Sequence, residues 1–319
     1  MINRFAFVAV ASTLWMAGCG STSANQGCTD FANARCAKQN SCNPSATIRD
    51  YGDLATCQLR ETAACSNRLS ATGSSATPSF DEGCSVAIPL ETCPDFSDDN
   101  PSNACIAPPG GLADGSPCIA NAQCKNGNCN LGPHTVCGSC GPPAQAGQSC
   151  ETATCDRGLV CTGTPSVCVQ LAALGQPCDK NTPCQVGGSC VGATGTTMGS
   201  CQAAVAQAGM PCDPTRAMKA GCDAAQELFC NEMSMSCDMI QFAPTGAACG
   251  TVNGVTVECA GAGGCYPANA KMGSCMAPAA DGAACDTMVG PGCLSPAKCV
   301  ITNGGTAGTC QLPDPTTCK

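Results

Sequence analysis

Aromatic residues are nearly missing from this chain: one Trp, two Tyr and seven Phe among 319 residues. Trp15, Phe5 and Phe7 lie in the first eighteen, which leaves Tyr51, Tyr266, Phe31, Phe80, Phe96, Phe229 and Phe242 for the remainder. That set excludes one large aromatic core, because aromatic rings carry the biggest burials open to a chain. Charge is also sparse, at 12 % of residues, and the net value is -9. Phosphate recognition needs clustered Lys and Arg, so nucleic acid is excluded as a partner. There is a single histidine, His134, with no serine elbow and no phosphate loop, so hydrolase and kinase chemistry lack their residues. No catalytic residue, metal site or cofactor is assigned, and the expectation is a protein that is not an enzyme. No hydrophobic run reaches the length of a membrane span.

Cysteine is what the chain has in abundance, 35 in all. The first, Cys19, ends a segment that opens with one positive charge at Arg4 and continues through the apolar stretch from Phe5 to Ala11. Such a segment reads as a secretory leader. Ala17-Gly18-Cys19 resembles the lipobox of bacterial lipoproteins, in which the cysteine thiol is lipidated and the peptide before it removed. A plain leader with an ordinary cysteine is the alternative. Lipidation of Cys19 implies a membrane partner held through N-terminal acyl chains, a far firmer grip than a single chain supplies. Gly20 in place of Asp implies, by the same resemblance, the outer membrane or cell surface. Loss of Arg4 with the leader takes the net charge from -9 to -10.

With Cys19 lipidated, 34 cysteines remain, an even number that can all pair. In an exported chain this density marks a disulfide scaffold. The expected class is a small disulfide-rich fold: an N-terminal α-helical stapled domain followed by an elongated array of short β-hairpin disulfide modules. The expected boundaries are 1-18 for the leader, 19-27 for lipidated cysteine and flexible tether, 28-109 for an eight-cysteine helical domain and 110-319 for the repeats.

In the helical part, Thr47 precedes Ile48, Tyr51, Leu54 and Ala55 at helical spacing, with Gly52 an irregularity within that helix. Thr77-Pro78 supplies a cap and a first-turn proline. Cys28 and Cys36 are eight apart, as are Cys57 and Cys65. Two antiparallel helices would therefore set Cys28 against Cys65 and Cys36 against Cys57. Cys42, Cys84, Cys93 and Cys105 are left without an assigned order.

From Gly110 the motif Gly-x-x-Cys opens each of six four-cysteine units, at Gly115, Gly147, Gly175, Gly209, Gly246 and Gly282. Of the three pairings open to four cysteines, first with third and second with fourth is preferred. This gives Cys118-Cys129 and Cys124-Cys137; Cys150-Cys161 and Cys155-Cys168; Cys178-Cys190 and Cys184-Cys201; Cys212-Cys230 and Cys222-Cys237. The last two units give Cys249-Cys265 and Cys259-Cys275, then Cys285-Cys299 and Cys293-Cys310. Cys140 and Cys318 stand outside the pattern. The linker from Ala107 to Gly115 is expected to be open to proteases.

The repeat, with Gly-x-x-Cys, two turns and a longer loop between its cysteines, resembles the cysteine-rich repeat named after the Dickkopf N-terminal domain. The whole layout, with Tyr51-Gly52-Asp53, Cys57-x-x-Arg60 and Cys137-Gly-Ser-Cys140, is similar to a group of bacterial cysteine-rich lipoproteins typical of myxobacteria. Cysteine spacing preserves a scaffold and not a contact surface, so the receptor antagonism of the animal proteins does not transfer.

Three local patterns invite chemistry. Cys137-Gly138-Ser139-Cys140 is a C-x-x-C, as in thiol oxidoreductases, but it sits among Gly/Pro-rich loops. Cysteine clusters with His134 suggest a metal, yet an exported chain lacks the reduced thiolates it needs. The stretch from Asp95 to Asn100 begins like a calcium loop but has no closing Glu. A solvated acidic turn is the preferred reading. The leading expectation is a non-enzymatic, membrane-anchored spacer or protein-binding scaffold that meets other surface proteins. A thiol-redox protein using Cys137 and Cys140, and a set of protease-inhibitor-like modules, are the alternatives.

Overall fold

The computed structural model describes residues 22–318 apart from 99, 133, 164, 253, 262, 263, 269, 270 and 303. The leader and Cys19 lie outside the described residues. Four helices form a hub: α1 (Ala24–Cys42), α2 (Pro44–Tyr51), α3 (Leu54–Ser70) and α4 (Pro78–Ala87). Each start is fixed by a side chain that satisfies an otherwise orphaned backbone donor. Ser23, Asn43, Asp53 and Thr77 accept from the N–H groups of Gln26, Ala46, Thr56 and Phe80 respectively.

Two expectations about local structure are corrected here. The tether does not extend to residue 27, because α1 begins at Ala24 and both Gly27 and Cys28 are buried. Gly27 is there for close approach: a Cβ at this position would stand 2.5 Å from the Pro78 carbonyl oxygen at the start of α4. The helix expected across Tyr51 and Leu54 is instead two helices. Gly52 takes φ +86 and ends α2, its N–H reaching the Ile48 carbonyl at 2.9 Å, and Asp53 starts α3 at once.

Disulfides join Cys28 to Cys65 and Cys36 to Cys57, with Cα separations of 5.5 and 6.0 Å, so α1 and α3 run antiparallel. Cys42–Cys93 and Cys84–Cys105 tie in the segment after α4. The hub core is small, and Cys36, Cys57 and Tyr51 form its apolar cluster. In so small a core the crosslinks carry stability that burial cannot.

The repeats build six modules from short, mainly antiparallel strands. Their shared grammar explains the Gly-x-x-Cys motif. The glycine has φ between 79 and 86 in all six modules, a left-handed value that β-carbon-bearing residues avoid, and open space surrounds it. Gly115 donates its N–H to the Cys140 carbonyl at 2.7 Å, while the Cys140 N–H donates to Ser116 at 2.8 Å. Two residues thus oppose one, a bulge led by a left-handed glycine. The same pair of bonds recurs from Gly147 to Cys168, Gly175 to Cys201, Gly209 to Cys237, Gly246 to Cys275 and Gly282 to Cys310.

Third and fourth cysteines of each module face one another across the strand pair, as Cys161 faces Cys168 and Cys190 faces Cys201. They bond outward instead, to the first and second cysteines. The structure brings together Cys118 with Cys129, Cys150 with Cys161, Cys155 with Cys168, Cys178 with Cys190 and Cys184 with Cys201. It likewise joins Cys212 with Cys230, Cys222 with Cys237, Cys249 with Cys265, Cys259 with Cys275, Cys285 with Cys299 and Cys293 with Cys310. The pairing of Cys124 with Cys137 is corrected: Cys124 bonds Cys140, and Cys137 bonds Cys318. Register is the reason. Cys140 is the residue opposite Cys129 and the acceptor for Gly115, whereas Cys137 precedes the strand Gly138–Cys140.

The array is not elongated, which corrects the course expected for it. It curls around the hub. Module 1 receives the Ser75 N–H at the Ala122 carbonyl, 2.8 Å, and module 2 sends Arg157 to Asn100 and Asn103, both at 3.0 Å. Module 4 meets α2 where Ser45 donates to the Ala224 carbonyl at 3.0 Å, and module 5 meets it where Gly261 N–H reaches Ile48 at 2.9 Å. Module 6 is gripped by Arg60 of α3. No described disulfide joins the hub to the modules; these hydrogen bonds help to hold the ring to its centre.

Candidate functional site

The residues singled out as chemical candidates are placed in structural roles. Cys137 and Cys140 belong to separate disulfides, with Cys318 and Cys124, and the second lies on a strand. Dithiol exchange of the C-x-x-C type uses the two sulfurs of the motif against each other at a helix N-terminus. His134 accepts the Ile301 N–H at its carbonyl, 3.4 Å. The acidic segment begins in a short capped helix, Cys93–Ser97, led by Thr92, and its Asp99 lies outside the described residues. Asp95 receives Thr92 Oγ1 at 2.6 Å and Asn100 Nδ2 at 2.7 Å. These two bonds hold its carboxyl below the usual range.

The modules bring three sulfurs within 4.8 Å of one another, as in Cys118, Cys124 and Cys129, a spacing that a metal would accept. Each sulfur is half of a disulfide and offers no thiolate.

Buried ionisable groups cluster in the hub. The Tyr51 hydroxyl donates to Glu61 at 2.6 Å, and Arg35 pairs with the other Glu61 oxygen at 3.3 Å. Burial, then the adjacent carboxylate, pushes the Tyr51 phenol well above its ordinary range. On the next turns Arg68 donates to Asp81, a fully buried residue that packs against the Cys28–Cys65 disulfide. Burial raises the Asp81 carboxyl even against the pull of Arg68. Arg68 stacks on Phe31 at 4.8 Å and Arg35 on Phe96 at 5.7 Å. With so few aromatics, the hub uses these rings to support its partly exposed cations.

The candidate binding surface is the seam between hub and modules. A cleft of about 580 Å³ opens between α4 and modules 1 and 2, lined by Phe80, Ile106, Leu131, Asn126, Asn128 and Arg157. Its mixture of apolar walls with a few fixed polar groups, at a domain seam, is the usual make-up of a ligand pocket. Arg157 also borders a second hollow of about 340 Å³ beside Leu90 and Asp95. Its hydrogen bonds to Asn100 and Asn103 fix the guanidinium between the two.

Sequence reasoning missed Arg60 and Arg157, two of the side chains that bind modules to the hub. Arg60 Nη1 and Nη2 hold Asp281 at 2.5 and 2.8 Å, while Nε and Nη2 reach the carbonyls of Ser295 and Leu294 at 3.1 and 3.0 Å. The motif Cys57-x-x-Arg60 was the available signal, since it places this arginine three residues from a hub disulfide. No protein-family model, curated protein or solved structure matches the chain.

Proposed function

We propose that this protein is an extracytoplasmic lipoprotein, anchored through Cys19, whose disulfide-locked ring of modules serves without catalysis as a binding scaffold for other surface proteins. The observation that carries the reading is parity. All thirty-four cysteines after Cys19 are taken up in disulfides, so no cysteine of this chain is left for Cys19, as lipidation requires. The resemblance to bacterial Dickkopf-type cysteine-rich lipoproteins points the same way, towards the outer membrane or cell surface. Scaffold function is supported by the rigidity of the modules, which are pinned to one hub and present loops at fixed positions. Such preorganisation lowers the ordering cost of binding a partner.

The test is metabolic labelling with palmitate in cells that express the protein. The wild type takes up label at its N-terminal cysteine, and Cys19→Ala loses both label and membrane attachment. Full membrane retention of the unlabelled variant would overturn the reading.

A further inference from the structure

Thr22 stands three positions after Cys19, a reach of about 10 Å at the roughly 3.5 Å per residue of extended chain. Thr22 is itself fastened to the hub, its hydroxyl donating to the Glu82 carboxylate on α4. Any lipid on Cys19 therefore emerges close to α4. That helix runs alongside α1, its start against Gly27 and its end beside Lys38, whose ammonium reaches the Pro89 carbonyl at 3.4 Å.

The outward face of α4 is bare. A Cβ added at Gly83 would meet nothing within 4 Å. Glu82, Val86 and Leu90 follow one another at four-residue steps along that face and into the 3-10 turn Ile88–Leu90. Val86 is 69 % exposed and Leu90 83 %, although both are apolar. Lys38 places a cation at the Leu90 end of the stripe.

We propose that this stripe is a membrane-seating surface: α4 lies along the bilayer that holds the N-terminal lipid, with Val86 and Leu90 dipping into its interfacial zone. The proposal rests on lipidation of Cys19. A short anchor, an apolar stripe starting at the anchor's own contact residue and a cation at its far end together fit a lipid surface, where amphipathic faces settle. The seat fixes the hub against the membrane and leaves α2, α3 and the modules attached to them to meet partners.

The mature chain, lacking Trp15, contains no tryptophan, so a single introduced indole reports its own surroundings. Leu90→Trp and Val86→Trp are made in the full lipidated protein, with Met218→Trp on module 4 as comparison, a residue 86 % exposed. Each is reconstituted in phosphatidylcholine vesicles whose acyl chains are dibrominated. The first two are expected to shift to the blue and lose most of their emission, and Met218→Trp to keep both its wavelength and its intensity. Flotation with the vesicles is measured on the same samples. Protein that floats but shows no quenching at positions 86 and 90, or equal quenching at all three, overturns the seat while leaving the anchor intact. Protein that fails to float overturns the anchor and the seat with it.

Discussion

Cys137 and Cys318 lie 181 residues apart in sequence and are bonded with their Cα atoms 5.4 Å apart, so the last residues of the chain close onto the first module. The closure is reinforced where Lys298 donates to the Gly132 carbonyl at 3.3 Å and Ile301 N–H meets His134 at 3.4 Å. A free loop of this length would give roughly 5 kcal/mol of chain-entropy stabilisation. The module disulfides shorten the effective loop, so the share of this bond is smaller.

The double variant Cys137→Ser/Cys318→Ser should therefore keep six folded modules yet open the ring. Small-angle scattering in non-reducing buffer is expected to show a larger radius of gyration, and guanidinium unfolding a lower midpoint. An unchanged radius with unchanged midpoint would mean that the polar contacts close the ring alone.

Arg60 holds module 6 through a planar fork, which a lysine cannot copy. Arg60→Lys and Arg60→Ala should both speed amide hydrogen exchange around Asp281 and Ser295, with the Cys285–Cys299 and Cys293–Cys310 bonds intact. Protection equal to wild type in the lysine variant would show that charge alone suffices.

The linker between hub and modules is docked, not open: Gly110 N–H reaches Cys124 at 2.8 Å and Gly111 N–H reaches Gly73 at 2.8 Å. It should resist proteases in the native protein, contrary to what its composition suggests. A Cβ at Gly110 would stand 2.2 Å from the Gln123 backbone, so Gly110→Ala should undock the segment and admit cleavage between Ala107 and Gly115. Limited proteolysis without reductant checks both outcomes.

Tyr51→Phe removes the donor to buried Glu61 and should cost about 1.5–3 kcal/mol, the range for hydrogen bonds to charged groups. The pH dependence has a definite sign. The folded-state pKa lies above the unfolded value near 10.0, so this contribution is complete below pH 10.0 and falls away as pH rises further towards the folded value. Guanidinium midpoints for wild type should decline through that alkaline window more steeply than those of Tyr51→Phe.

Much of this architecture was legible as spacing. The interval of eight between Cys28 and Cys36, repeated between Cys57 and Cys65, translates directly into helix length and hence into two cross-links. The repeated Gly-x-x-Cys marks a bulge whose left-handed residue only glycine adopts without strain. Choosing Cys137 over Cys140 failed because cysteine order does not reveal strand register: the deciding fact is the hydrogen bond from Gly115 to Cys140. The ring was hidden for another reason. Its contacts run through backbone groups and through pairs such as Arg60 with Asp281, which are 221 residues apart and carry no local pattern. Gly27 looked like tether for want of the Pro78 carbonyl that presses on it.

All thirty-four cysteines after Cys19 are committed to disulfides, and the proposal is that Cys19 carries lipid. Intact mass of the purified native protein, taken before and after reduction and joined to mapping of unreduced digests, tests it most directly. The expected result is a gain of thirty-four hydrogens on reduction, peptide links Cys137–Cys318 and Cys124–Cys140, and an acyl mass on Cys19. Free thiols in the native protein, a Cys124–Cys137 link, or an unmodified Cys19 would contradict it.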